Sequence, residues 1–128
     1  MSRYTVGVVR DFIAQHFLIG GDWGRENLLH AHPYEMEAIF EGDELDRHQY
    51  LLDIAEVKVA LDGLIDRFAD KVLNQLPEFA DKNPSLELFA RILAEGLARS
   101  IGTGSLTALT VKLWENDEAF ACHRLTFG

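Results

Sequence analysis

Apolar and polar residues alternate along the first third of the chain. Residues 4–18 are rich in Val, Ile and Phe, with polar residues between them at strand-like spacing, and they predict a long first strand. The glycines within residues 20–24 interrupt this pattern and predict a flexible loop that runs to Leu28. Residues 32–41 alternate again and predict a second strand. Four apolar side chains share one face of it: Tyr34, Met36, Ala38 and Phe40.

The hydrophobic period changes at Asp53. Asp53, followed three residues later by Glu56, fits a helix capping box. The apolar residues beyond this point recur at helical spacing and predict a first helix that runs to about Leu73. The members of this stripe are Ile54, Val57, Leu61, Leu64, Ile65 and Phe68.

A second helix is predicted beyond Pro84. Either Asn83 or Ser85 is its N-cap, and Gly102 ends it. Its apolar stripe consists of Leu86, Phe89, Ala90, Leu93 and Leu97.

Two further strands are predicted at residues 106–114 and 119–127, joined by an acidic hairpin turn at residues 115–118. The element order is therefore strand, strand, helix, helix, strand, strand, which is typical of an α+β fold. A chain of 128 residues, 48% hydrophobic, suits one core and is too short for two. We expect a single domain over residues 1–128.

Composition narrows the class of protein. The formal net charge of −9 and the scattered basic residues disfavour a nucleic-acid or anionic-membrane surface. The only cysteine, Cys122, cannot form an internal disulfide, and the first residues lack the basic stretch and apolar core of a secretion signal. A membrane-spanning helix needs about 20 consecutive apolar residues, and no apolar run in this sequence is that long. These features predict a cytoplasmic protein.

Three histidines suggest a metal site. His30 and His32 form a His-x-His pair, which presents two imidazoles on one face of a strand. A neighbouring strand that carries His16 would supply a third. Three neutral imidazoles leave a fourth position open, the arrangement of a catalytic zinc site. The pattern is short, however, and His-x-His also occurs without a metal.

Several short blocks of sequence carry a family resemblance. They are residues 12–16 (FIAQH), 29–34 (LHAHPY), 52–58 (LDIAEVK), 73–77 (LNQLP), 84–87 (PSLE) and 111–115 (VKLWE). In these blocks, which occur in the same order over nearly the whole chain, the sequence resembles the 6-pyruvoyl-tetrahydropterin synthase family. That family includes the 6-carboxytetrahydropterin synthases of the queuosine pathway.

The resemblance implies a tunnelling fold (T-fold), in which a four-stranded antiparallel sheet carries two helices on one face. In that family, subunits join their sheet edges into a barrel, and two rings usually stack. We therefore expect a homo-oligomer, a hexamer with sites at its subunit interfaces. Closure of a ring would also satisfy the two unpaired edges of a short open sheet.

The resemblance also implies the roles of individual residues. His16, His30 and His32 match the family's zinc ligands, and Glu115 matches the carboxylate that anchors a small-molecule pterin substrate. Ser85 and Glu87 match positions that approach the pterin from a neighbouring subunit. The alternatives are that Glu115 is a turn residue and that Ser85 and Glu87 are a helix cap and a first-turn charge. The family follows its anchor with Thr, whereas Asn116 follows here.

The chain lacks the family's usual catalytic cysteine, which would stand a few residues before His30. Glu26 stands there instead, in the pattern Glu-x-x-x-His-x-His. This resembles a subgroup in which glutamate replaces the cysteine and the side chain of dihydroneopterin is cleaved to 6-hydroxymethyl-dihydropterin. A carboxylate near zinc can take a proton from a hydroxyl group. The alternative is a solvated loop glutamate, and Cys122 is interpreted as a small core residue.

The family's catalytic histidine is also absent, and Asp70 occupies its position. Asp70 is a candidate for proton exchange, although a carboxylate does not copy an imidazole that accepts and donates near neutral pH. His48 and His123 are interpreted as a loop and a strand histidine.

Two hypotheses follow. In the first, the chain is a zinc-dependent pterin lyase with Glu26 as base and Glu115 as anchor. In the second, it binds metal and pterin but its catalysis is lost or altered.

Overall fold

A computed structural model describes residues 2–128. The strands are β1 (Tyr4–His16), β2 (His30–Gly42), β3 (Leu106–Trp114) and β4 (Phe120–Thr126), and the helices are α1 (Ile54–Asp66) and α2 (Leu86–Ile101). The strands form one antiparallel sheet in the order β1-β2-β3-β4. The predicted element order and the α+β fold are confirmed. Within the described residues, no helix is long and apolar enough to cross a bilayer.

The core lies between the two helices and one face of the sheet. The apolar face predicted for the second strand is buried, with Tyr34 only 2% exposed and Met36, Ala38 and Phe40 fully covered. The Phe89 ring of α2 packs edge-on against Phe12 and Tyr34, with centroid distances of 5.8 and 5.2 Å. The opposite face of the sheet leaves Val9, Ile13 and Phe120 exposed.

Both helices begin at side-chain caps. The Asp53 carboxylate accepts hydrogen bonds from the backbone N–H groups of Ala55 and Glu56 at the start of α1. The Ser85 hydroxyl accepts one from Leu88 at the start of α2. Ser85, and not Asn83, is therefore the N-cap of the second helix.

The first helix is shorter than predicted, because α1 ends at Asp66 and not near Leu73. The chain turns away through Asp70, whose φ of 61° lies in the left-handed region. The Asp70 N–H then donates to the Ile13 carbonyl, and the Gln15 N–H donates to the carbonyl of Lys71. Residues 70–72 therefore pair with the edge of β1, which a continuing helix could not do. Ile54, which was predicted as a member of the apolar stripe of this helix, is 41% exposed and is not part of the core.

The strand limits differ from the predictions by one or two residues. β1 ends at His16 and β2 begins at His30, each two residues earlier than predicted, because these two residues are register partners at the end of the ladder. β4 is one residue shorter at each end than predicted. One end of the sheet is thus made by a pair of histidines.

Candidate metal centre

The register between β1 and β2 brings the three histidines together. His16 pairs with His30, and Ala14 pairs with His32, so all three imidazoles lie on the helix-covered face of the sheet. The ring centroids are 4.6, 4.7 and 4.7 Å apart. Adjacent antiparallel strands and the two-residue period of a strand are sufficient to build this cluster.

Hydrogen bonds on the outer side of the cluster orient the rings. Nδ1 of His30 lies 2.7 Å from the Leu28 carbonyl oxygen, which only accepts, so Nδ1 carries a proton. Nδ1 of His16 lies 3.3 Å from the Tyr34 hydroxyl. The Nε2 atoms of His30 and His32 are buried and have no hydrogen-bond partner. Buried lone pairs that face one another in this way fit a bound metal ion.

Glu26 adds a carboxylate to the cluster. It lies in a short 3₁₀ turn (Gly24–Asn27), and its Oε2 is 2.8 Å from Nε2 of His30. One donor atom each from Glu26 and the three histidines lie within 4.8 Å of one another. Among the described residues, this is the one group of three or more His, Cys, Asp or Glu side chains that is placed to hold a metal.

Glu115 reaches the same cluster from β3. Its Oε1 is 2.9 Å from Nε2 of His32 and 4.0 Å from Nε2 of His16. The register explains this contact, because Glu35 of β2 pairs with Trp114, the last residue of β3, and Glu115 follows directly after it. The sequence alone did not indicate that the predicted pterin anchor touches the histidines.

Burial and mutual repulsion control ionisation in the cluster. Burial, followed by the charges of His32 and His30, lowers the pKa of His16 from 6.5 to about 4, although Glu26 opposes the shift. Burial and the carboxylates of Glu115 and Glu26 raise the pKa of Tyr34. At neutral pH, His16 is therefore neutral, which is the form that binds a metal.

Two asparagine side chains hold the segment before the Glu26 turn. Asn74 accepts from the N–H of Phe17 and donates to its carbonyl, both at 2.9 Å. Asn83 makes the same pair of contacts with Ile19, at 2.7 and 3.1 Å. Each side-chain amide thereby makes the two hydrogen bonds that a neighbouring strand would make, and satisfies the backbone N–H and C=O of the residue it binds.

The other predicted site residues, Asp70, Ser85 and Glu87, are not members of the metal cluster. Asp70 is exposed and is not among the side chains of the metal cluster. Ser85 is occupied as the cap of α2, and Glu87 is exposed in the first turn of that helix. The carbonyl of Pro84, just before the cap, acts on His16 and raises its pKa slightly. The start of α2 is thus close to the histidines.

The remaining histidines and the cysteine lie elsewhere. His48 is exposed in the loop before α1, and His123 pairs with Val111 in β4. Cys122 is exposed on β4, so its interpretation as a core residue was wrong. It faces away from the helices, because its neighbour His123 shares the covered face with buried Val111.

Residues 5–125 match the family model for 6-pyruvoyl tetrahydropterin synthase. No curated protein matches the sequence significantly.

Several solved structures share the fold. The 6-pyruvoyl tetrahydropterin synthase of Caenorhabditis elegans is 20% identical, with a TM-score of 0.82 over 96% of each chain. A Plasmodium vivax 6-pyruvoyltetrahydropterin synthase, in a variant whose catalytic glutamate is replaced by alanine, is 13% identical, with a TM-score of 0.78 over 97% of this chain and 99% of that one. A Vibrio cholerae protein assigned provisionally as a dihydroneopterin aldolase is 14% identical, with a TM-score of 0.53 over 99% of this chain and 100% of that one. These similarities confirm the predicted T-fold.

Proposed function

We propose that this chain, which belongs to the 6-pyruvoyl tetrahydropterin synthase family, is a metal-dependent lyase that shortens the side chain of a dihydropterin. The proposed substrate is 7,8-dihydroneopterin or its triphosphate, and the proposed product is 6-hydroxymethyl-dihydropterin. One observation carries the proposal: the Glu26 carboxylate lies 2.8 Å from Nε2 of His30, at the edge of the imidazole cluster. A proton acceptor is required at this place.

The donor set fits a zinc ion held by His16, His30 and His32. Imidazole nitrogens are preferred zinc ligands, and the buried Nε2 atoms of His30 and His32 make no hydrogen bond, although each lies within 2.9 Å of a carboxylate oxygen. A zinc ion bound there would make the hydroxyl groups of the substrate side chain more acidic. The contribution of the chain itself is to hold three imidazoles and a carboxylate in one place.

Glu26 is the proposed base. Its carboxylate takes the proton of the second side-chain hydroxyl, and the C–O bond of that carbon becomes a carbonyl as the bond to the first side-chain carbon breaks. The electron pair passes to the first carbon, where the conjugated ring imine accepts it. The protonated Glu26 then returns its proton to that carbon. The products are 6-hydroxymethyl-dihydropterin and glycolaldehyde, which together contain all atoms of dihydroneopterin.

Glu115 is the proposed pterin anchor, since a carboxylate accepts paired hydrogen bonds from adjacent N–H groups. Ser85 and Glu87 are proposed to approach the pterin across a subunit interface, and Asp70 is proposed to exchange protons with solvent. The proposed assembly is a homo-oligomer of six subunits, and the proposed location is the cytoplasm.

The activities assigned to two proteins of similar fold support the proposal. A glutamate is a catalytic residue of the Plasmodium vivax enzyme. The Vibrio cholerae protein has been assigned provisionally to the aldolase reaction on dihydroneopterin. A glutamate base and cleavage of this side chain are therefore both compatible with the fold.

The test uses zinc-loaded protein with dihydroneopterin or its triphosphate, and products are identified by mass. We expect glycolaldehyde from dihydroneopterin and glycolaldehyde triphosphate from the triphosphate. We expect Glu26→Gln to lower kcat by about 10²- to 10⁴-fold, the usual contribution of a positioned base. Glu44→Gln is the matched control. Glu44 is exposed, and this substitution removes the same charge at a position outside the metal cluster.

The outcomes separate the candidate functions. Tight pterin binding without turnover would favour the second candidate, a metal- and pterin-binding protein with lost or altered catalysis. Release of triphosphate without glycolaldehyde would replace carbon–carbon cleavage by elimination, as in the pyruvoyl-forming members of the family.

A further inference from the structure

We propose that Glu115 is a metal ligand in the pterin-free protein and that binding of a pterin ring displaces it. This inference rests on the proposed metal site and on the proposed anchoring role of Glu115. It assigns two successive partners to a single carboxylate.

Glu115 lies beside the four-residue metal cluster and contacts two of its histidines. Oε1 of Glu115 is 2.9 Å from Nε2 of His32, yet that buried nitrogen makes no hydrogen bond. Oε1 is also 4.0 Å from Nε2 of His16. A cation between these atoms would stabilise the approach of the carboxylate oxygen to the imidazole lone pairs.

The two carboxylates approach the cluster from different sides. Glu26 contacts His30, whereas Glu115 contacts His32 and lies near His16. Three neutral imidazoles leave the two positive charges of a divalent ion uncompensated, and two carboxylates balance them. The Glu115 side chain is 26% exposed, against 51% for Glu26, so its charge is the less screened by water.

The anchoring role makes this contact temporary. Paired hydrogen bonds to the edge of a pterin ring use both carboxylate oxygens, and Oε1 is the oxygen in contact with His32. The carboxylate therefore turns away from the cluster when the ring binds. This movement opens a coordination position at the moment when the substrate side chain arrives.

The experiment measures Co²⁺ binding by chelator competition and the visible absorption of bound Co²⁺, which reports its ligand set. The proteins are wild type, Glu115→Gln and the control Glu118→Gln, which removes a charge from an exposed position of the same hairpin turn. We expect Glu115→Gln to bind Co²⁺ about 10- to 100-fold more weakly, with a changed spectrum. Glu118→Gln should stay within about 2-fold of wild type.

A second arm adds pterin without a side chain to Co²⁺-loaded wild type. This probe has no hydroxyls to bind the ion, and we expect it to shift the wild-type spectrum toward that of Glu115→Gln. Equal Co²⁺ affinity and equal spectra for Glu115→Gln and Glu118→Gln would overturn the inference. Changed Co²⁺ binding in Glu115→Gln without turnover of dihydroneopterin would remove the proposed function and leave the ligand role of Glu115 standing. Wild type that binds no Co²⁺ would remove both.

Discussion

The hydroxyl oxygen of Tyr34 lies 3.3 Å from Nδ1 of His16, and both residues are buried, at 2% and 4% exposure. His16 Nε2 faces the imidazole cluster and Glu115. Binding of a metal through Nε2 requires the ring proton to be on Nδ1, where it donates to the Tyr34 oxygen. The Tyr34 hydroxyl thus accepts from the Nδ1–H of a metal-bound His16 and holds its ring in place.

Tyr34→Phe tests this role, because the ring is kept and only the acceptor is lost. Packing against Phe12 and Phe89 should be preserved. We expect zinc affinity to fall about 10- to 100-fold. The metal-free protein should lose about 1–3 kcal/mol of unfolding free energy, because the buried Nδ1 loses its hydroxyl partner. Chelator competition and urea unfolding measure the two effects. Tyr50→Phe, at a 62% exposed position, is the control, and equal zinc affinity in both variants would refute the role.

The stability of the metal-free protein should depend on pH through His16. Burial, and then repulsion from His32 and His30, lowers the pKa of His16 from 6.5 to about 4 in the folded protein. Between these values the unfolded chain binds a proton that the folded protein does not. The stabilisation is therefore complete above about pH 6.5 and is lost as the pH falls toward 4. At about 1.4 kcal/mol per pKa unit, the loss amounts to about 3–4 kcal/mol at most.

Urea unfolding in the presence of a chelator, at several pH values between 4 and 7.5, measures this loss. His16→Gln should flatten the pH dependence in that window, whereas His48→Gln, at an exposed loop position, should retain it. A slope that is the same in wild type and His16→Gln would show that other groups cause the dependence.

The packing of α1 on α2 makes two glycines respond differently to alanine. A Cβ at exposed Gly63 would meet nothing within 4 Å, whereas a Cβ at Gly96 would lie 2.8 Å from Cδ1 of Leu64. We expect Gly63→Ala to stabilise the protein by about 0.5–1 kcal/mol through helix propensity. Gly96→Ala should gain less, because Leu64 must move. Thermal unfolding compares the two, and an equal gain would show that Leu64 accommodates the methyl group freely.

Local patterns were sufficient to predict most of the fold. The alternation of Tyr34, Met36, Ala38 and Phe40 identified a strand face that is buried in the structure. The end of α1 could not be predicted in the same way, because residues 70–72 leave the helix to pair with β1, a partner distant in the sequence. Strand limits near His16 and His30 depend on the same kind of pairing.

For the candidate site, too, local sequence patterns predicted some residues, whereas contacts that depend on strand register could not be predicted. His-x-His spacing and the family resemblance predicted the three histidines, which the β1–β2 register brings into one cluster. The contact of Glu115 with His32 depends on the β2–β3 register, for which the sequence has no local pattern. The role of Tyr34 could have been inferred, since it continues the alternation of His30 and His32 on the same face.

The Asn74 side chain holds the chain segment to which the Glu26 turn is bonded. Asn74 satisfies both backbone groups of Phe17, and the next residue, Leu18, donates its N–H to the Glu26 carbonyl at 2.8 Å. Loss of the Asn74 amide leaves two backbone groups of Phe17 unpaired, at a cost of about 1–3 kcal/mol. It also loosens the segment to which the Glu26 backbone is bonded.

We therefore expect Asn74→Ala to lower kcat for dihydroneopterin cleavage more than it lowers zinc affinity, because the imidazoles lie on the sheet and Glu26 lies on the loosened loop. Steady-state kinetics and chelator competition measure the two quantities, and urea unfolding measures the stability. Asn116→Ala is the matched control, since Asn116 also bonds to backbone N–H groups but in the β3–β4 turn. Equal falls in kcat and zinc affinity for Asn74→Ala would place its effect on the whole cluster and not on the position of Glu26.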